Sequence, residues 1–129
     1  MTSSFHSART GLAVIAAAVL VTAGVSAHHG WGGYQDTQFE LTGTLETDVN
    51  LGGPHATARI KATDGQVWDL TLAPGARTER TGLKAGVIPV GAKVTASGHR
   101  SRDPKKLEIK TEKLTWNGKV FNVYPDRDS

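Results

Sequence analysis

From Phe39 onward the chain alternates apolar and polar positions with the period of two that a half-buried strand requires. Phe39, Leu41, Leu45 and Val49 form the first series, and Gly43 interrupts it where a bulge or bend is expected. After a Gly-rich loop over 50–54, Ala56, Ala58, Ile60 and Ala62 alternate with Thr57, Arg59 and Lys61, giving a second strand. Asp64-Gly65 reads as a two-residue hairpin turn. Beyond it Trp68, Leu70 and Leu72 put one face of a third strand into the core.

The stretch Pro74 to Lys84 loses this period. It carries a proline suited to a first helical turn and an exposed set of Arg77, Glu79, Arg80 and Lys84, so one short helix is expected, weakened by Gly82. A fourth strand is expected over 90–98 and a fifth over 107–116. Asn117-Gly118 then turns the chain into a short strand with Val120, Phe121 and Val123, and a polar, frayed tail follows. Three strands, a helix and two more strands, with the first strand long and bent, is the order of an OB-fold. The expected fold is therefore all-β with one short helix, a small OB-like Greek-key barrel of five to six strands. Trp68, Trp116 and Phe121 read as its core, and the charged run 106–113 as a solvated strand face.

The chain start is organised differently. A polar stretch with Arg9 precedes an apolar run of 14 residues, Gly11 to Gly24, which is too short for a membrane span of about 20 residues. Val25-Ser26-Ala27 closes it with small residues at the two positions a signal peptidase reads. Residues 1–27 are accordingly expected to be a signal peptide, 28–37 a Gly-rich arm, 38–124 the barrel and 125–129 the tail. The mature protein is then periplasmic or secreted, with no stable membrane anchor after processing.

Of 129 residues, 102 remain after cleavage, enough for one domain. Cleavage removes one base and no acid, leaving 14 basic and 12 acidic residues, a balance that argues against a nucleic-acid partner. There is no cysteine, so disulfides and thiolate metal sites are excluded. Neither a serine–histidine–acid set nor a phosphate loop stands out, and the protein is not expected to be an enzyme.

What remains is histidine. Cleavage after Ala27 makes His28 the first residue, so one residue offers a primary amine and an imidazole, both of which deprotonate readily near neutral pH. That pair plus one more imidazole gives three nitrogens suited to Cu(II), with Zn(II) as the other candidate. The arrangement resembles the histidine brace of several exported copper proteins. His29 offers a second geometry, in which the amine, a backbone nitrogen and its ring chelate in a plane; cleavage after Ser26 would place it third instead.

His55 follows Pro54 in the Gly-rich loop, where the backbone is held extended and the ring can be pre-oriented. The arm, at most about 33–36 Å long if extended, can reach it. His99 is expected at the surface with Lys93, Thr95 and Ser97, near the beginning of the first strand and away from His55. The expected metal set is thus His28, His29 and His55. Trp31 and Tyr34 would pin the arm to the barrel or shield the metal.

His-His-Gly-Trp after the signal peptide, Leu-Thr-Gly-Thr-Leu in the first strand, the Pro-His-Ala loop and Val-Thr-Ala-Ser-Gly-His together resemble a family of small exported bacterial proteins of unknown function. The resemblance spans the mature chain and implies export and the fold. Members usually carry Asn-Pro-His where this chain has Gly53-Pro54-His55, so a role of that Asn is lost here. The sequence supports an exported copper-binding carrier or sequestering protein, with a periplasmic partner possible for delivery. The alternatives are a metal-free OB-like module for an oligosaccharide, peptide or anionic polymer, and a copper oxidase, for which about 100 residues offer little substrate platform.

Overall fold

A computed structural model describes residues 30–127. The elements are β1 (Tyr34–Asn50), β2 (Thr57–Ala62), β3 (Val67–Thr71), α1 (Gly75–Arg80), β4 (Lys93–Ser101), β5 (Glu108–Trp116), β6 (Lys119–Asn122) and a 3-10 turn at Pro125–Arg127. The sheet order is β3-β2-β1-β4-β5-β6, and β3 also pairs with β5. That last pairing is parallel, Asp69–Thr71 against Glu108–Lys110, and closes β1–β5 into a barrel with the expected OB-like topology. Among the described residues no helix is long and apolar enough to cross a membrane.

The interior follows the alternation. Leu45, Val49, Ala58, Ile60, Leu70, Val94, Ala96, Ile109 and Leu114 are buried inside, with Leu83, Ile88 and Phe121 closing gaps around them. Phe39 and Leu41, on the same series as Leu45, are only partly buried. Asn117 and Gly118 both have positive φ, 50° and 77°, and Trp116 pairs with Lys119 across the two-residue turn the sequence implied.

Five expectations need correction. The Asp64-Gly65 connection is a three-residue loop, because the Ala62 amide donates to the Gln66 carbonyl and only Gly65 takes positive φ. Strand β4 starts at Lys93 because Val87–Ala92 is spent on turns, one of which sends the Gly91 amide to the Leu45 carbonyl and leaves Val90 exposed. Pairing runs unbroken through Gly43, and the irregularities of β1 lie on either side of it. The glycine is needed for another reason: a Cβ there would land on the Lys61 carbonyl.

The fourth correction matters most. The run 106–113 is not a solvated face, since Lys110 is 3% and Glu112 5% exposed. Strand β5 is covered on its outer side as well, by Trp31 and Tyr34 of the arm and by Tyr124 and Arg127 of the tail. The expected frayed end is, over Pro125–Arg127, a short turn held by an Arg77–Asp126 ion pair of 2.6 Å.

Candidate functional site

Three local features build the covered face. The β4–β5 register shifts between Ser97 and Gly98, so Glu112 has no partner opposite it in β4. This bulge lets Ile109 and Thr111 point inward before it and Leu114 after it, while Lys110 and Glu112 share the outer face. Gly98 permits it, because a Cβ at that position would fall on the Lys110 carbonyl oxygen. Barrel closure through β3–β5 then carries the loop containing His55 over the start of β5.

At one end of the face lies His99, 6% exposed rather than at the surface. It does sit near the beginning of β1, paired with Gln38, as the topology implied. Its Nδ1 lies 2.8 Å from the Gln35 carbonyl and its Nε2 2.8 Å from Glu112 Oε1. Gln38 Nε2 stands 3.2 Å from the same Nε2, so both ring nitrogens already face protein partners. Glu112 also accepts from Gln38 Nε2 at 2.9 Å and from Arg127 Nε at 3.1 Å. Binding a metal through either nitrogen would mean breaking one of these contacts.

At the other end Lys110 Nζ is held among three rings, 5.3 Å from the centroid of Trp31, 5.8 Å from Tyr124 and 6.0 Å from Tyr34. Among the described residues its one hydrogen-bond contact is His55 Nε2, 3.3 Å away. Burial lowers the Lys110 pKa against the opposing pull of Glu108. Burial first, and then the Lys110 charge, also lowers that of His55. His55 is therefore a neutral imidazole near pH 7, the form a metal ligand must have. Its Nδ1 makes no hydrogen bond among the described residues.

Tyr34 donates its hydroxyl proton to Glu108, which also accepts from Thr71 Oγ1 at 3.0 Å. Burial and this carboxylate push the Tyr34 pKa up to about 12. Trp31 links the two ends. Its ring meets His99 edge-on at 5.6 Å and Tyr124 at 5.1 Å, and the Arg127 guanidinium stands 3.9 Å from its centroid. The arm is thus pinned by Trp31, one of the two roles the sequence offered for it.

Of the three candidate ligands, His28 and His29 lie outside the described residues. His55 borders the cluster that receives the arm. Gly30, the first described residue, lies against Lys110: a Cβ built on it would be 3.4 Å from Nζ. No group of three or more His, Cys, Asp or Glu side chains capable of holding a metal occurs among the described residues. A relay of contacts through Trp31 and Lys110 runs from His99 to His55, and both ring nitrogens of His99 already face protein partners. Sequence reasoning missed Lys110 and Glu112. Their strict alternation with Thr111 looked like exposed surface, and only the covering arm and tail reveal otherwise. No family model matches the chain, and neither does any curated protein.

Proposed function

We propose that this protein is an exported, periplasmic or secreted copper-binding protein, a carrier or sequestering module without turnover of its own. The amine and ring of His28 bind Cu(II), and His29 or His55 completes the equatorial set. A periplasmic partner would exchange the ion, and nucleic acid has no part in the reading.

The observation that carries it is the meeting of two chain segments at one atom. Gly30 and the His55 ring both abut Lys110 Nζ. Two further residues of chain reach about 7 Å, so a chain beginning at His28 can bring its terminal amine to the His55 ring. All donors are nitrogen, and copper stands at the top of the divalent series for such ligands, ahead of Zn(II).

The test starts from exported protein whose first residue has been verified as His28. Titration with Cu(II), followed by paramagnetic resonance, should show one site with nitrogen ligands. Equal binding by a variant with His28, His29 and His55 all replaced by Ala would overturn the proposal. A second reading rests on a groove of about 510 Å³ across β1–β3, which borders the same site through Thr71 and Glu108 and is also lined by Thr47, Asn50, Thr57 and Arg59. Hydroxyls, an amide and charged groups of both signs suit an oligosaccharide or peptide, the metal-free alternative.

A further inference from the structure

A hollow of about 370 Å³ lies between the last turn of α1 and the end of β6, lined by Arg77, Arg80, Thr81, Asn122, Val123 and Pro125. Arg77 and Arg80 are three residues apart on the helix, so their side chains share one face. Val123 is buried and gives the hollow an apolar side with Pro125. Among the described residues no carboxylate lines it. Lys119 adds a positive charge nearby, since a Cβ built on Gly82, the residue after Thr81, would be 3.8 Å from its Nζ.

The two arginines are differently engaged. The Arg77 guanidinium stands 5.1 Å from the Tyr124 ring centroid and donates to Asp126 at 2.6 Å, in a pair whose carboxylate is 77% exposed. Asp126 is an internal stand-in, a negative oxygen that reaches this guanidinium from the solvent side. Arg80 is exposed, and among the described residues it makes no hydrogen bond or ion pair. Its planar fork of N–H donors matches the oxygens of an anion.

We propose that this hollow binds a phosphoryl group, with Arg77 and Arg80 as its donors and Val123 and Pro125 against the organic body that carries it. Charge selects phosphate over a simple carboxylate, because two guanidiniums match a dianion. The volume falls in the small-ligand range of roughly 300–1,000 Å³, so a small phosphate ester fills it better than a bare ion does. The incoming group takes the place of Asp126 on Arg77, an easy exchange because solvent-exposed ion pairs contribute little. The copper reading has no part in this site, which contains none of its ligands.

Glycerol 3-phosphate, inorganic phosphate and acetate are the probes, titrated into the exported protein and followed by calorimetry and ¹H–¹⁵N resonances. The side-chain signals of Arg77 and Arg80 and the amides of Thr81 and Val123 should move together and saturate. The ester should bind more tightly than inorganic phosphate, and acetate at least about tenfold more weakly than the ester. Arg80→Gln strands no partner, so circular dichroism should stay unchanged while ester affinity falls about tenfold. Asp126→Asn removes the resident competitor and should raise affinity about twofold to fivefold. Lys106→Gln makes the same change of charge on the β4–β5 connection and should have no effect.

Vesicles containing phosphatidic acid separate the two sources of the group. Vesicle binding that Arg80→Gln abolishes supports the site with a lipid headgroup as its ligand, and binding of the ester alone supports it with a soluble one. Wild-type ester affinity in Arg80→Gln overturns the inference. Equal losses in Arg80→Gln and Lys106→Gln, or resonance changes scattered over the surface lysines, mean an adventitious ion only and overturn it too.

Discussion

His55 and His99 lie on either side of Trp31 and differ in almost every respect that decides what a histidine can do. His99 is buried, and each ring nitrogen faces an oxygen 2.8 Å away. His55 is half-buried, and among the described residues its ring makes one hydrogen-bond contact, with the Lys110 ammonium facing Nε2. Sequence context ranks the two poorly. One follows a proline in a loop and the other ends a strand, and neither position reports how many lone pairs remain. The lesson is that ligand capacity is a matter of unspent acceptors rather than of location.

The largest expected effect sharpens this contrast from the structural side. His99→Ala removes one of three partners of the buried Glu112, which keeps Gln38 and Arg127, and leaves a gap in the covered face, so stability should fall by about 1–3 kcal/mol in urea unfolding. Copper affinity of the folded fraction should change little. His55→Ala should do the reverse, with stability nearly unchanged and copper affinity down about a hundredfold, the loss of one equatorial nitrogen. A mutant of His99 that lost copper but kept its stability would break the comparison.

Next comes the terminus. One residue added before His28 turns its amine into an amide, destroys the six-membered chelate of amine and ring Nδ1, and should weaken a brace severely. The same insertion moves His29 to third place and could preserve planar binding, so paramagnetic resonance of that variant separates the geometries.

Acid gives a smaller effect with a definite sign. The folded-state pKa of His55 lies below its ordinary value near 6.5, so the unfolded chain takes up its proton first. Stability from this group is present above about pH 6.5 and declines as pH falls from there through the lower folded value. Copper affinity should decline over the same range as protons compete for amine and imidazole. His55→Gln should flatten the stability profile, as measured by thermal unfolding between pH 5 and 7, roughly the window of histidine titration.

The smallest is spectroscopic. Tyr34 should ionise near pH 12 in ultraviolet titration, and Glu108→Gln should move it down towards 10. Because the folded value is raised, this tyrosine contributes stability below about pH 10 that is lost as pH climbs towards 12.

Much of the barrel was legible because its signals are local. Alternation at Ala56–Ala62 and Trp68–Leu72 marks the strands, and Asn117-Gly118 marks a turn whose backbone only a few residue types adopt. What stayed hidden depends on distant parts of the chain. The outer face of β5 is buried because residues from both ends of the chain fold over it, and no pattern within 106–113 records that cover. The Glu112 bulge was equally invisible, since the glycine that allows it belongs to another strand. His55 could be nominated from its loop, but its partner Lys110 could not, because a lysine between two threonine- and isoleucine-flanked acids looks like any surface lysine.

The packing of Arg127 against Trp31 has a temporal consequence. Synthesis makes the arm first, yet the face that receives it is complete only when Arg127, near the other end of the chain, has emerged. Until then Trp31 lacks one of the two cations against its ring, and Glu112 lacks one of its donors. The barrel can close on β1–β5 while this outer layer is still open. The outer layer is therefore completed late in assembly, and a chain that stops short of residue 125 should hold Trp31 through His99, Lys110 and Tyr124 alone.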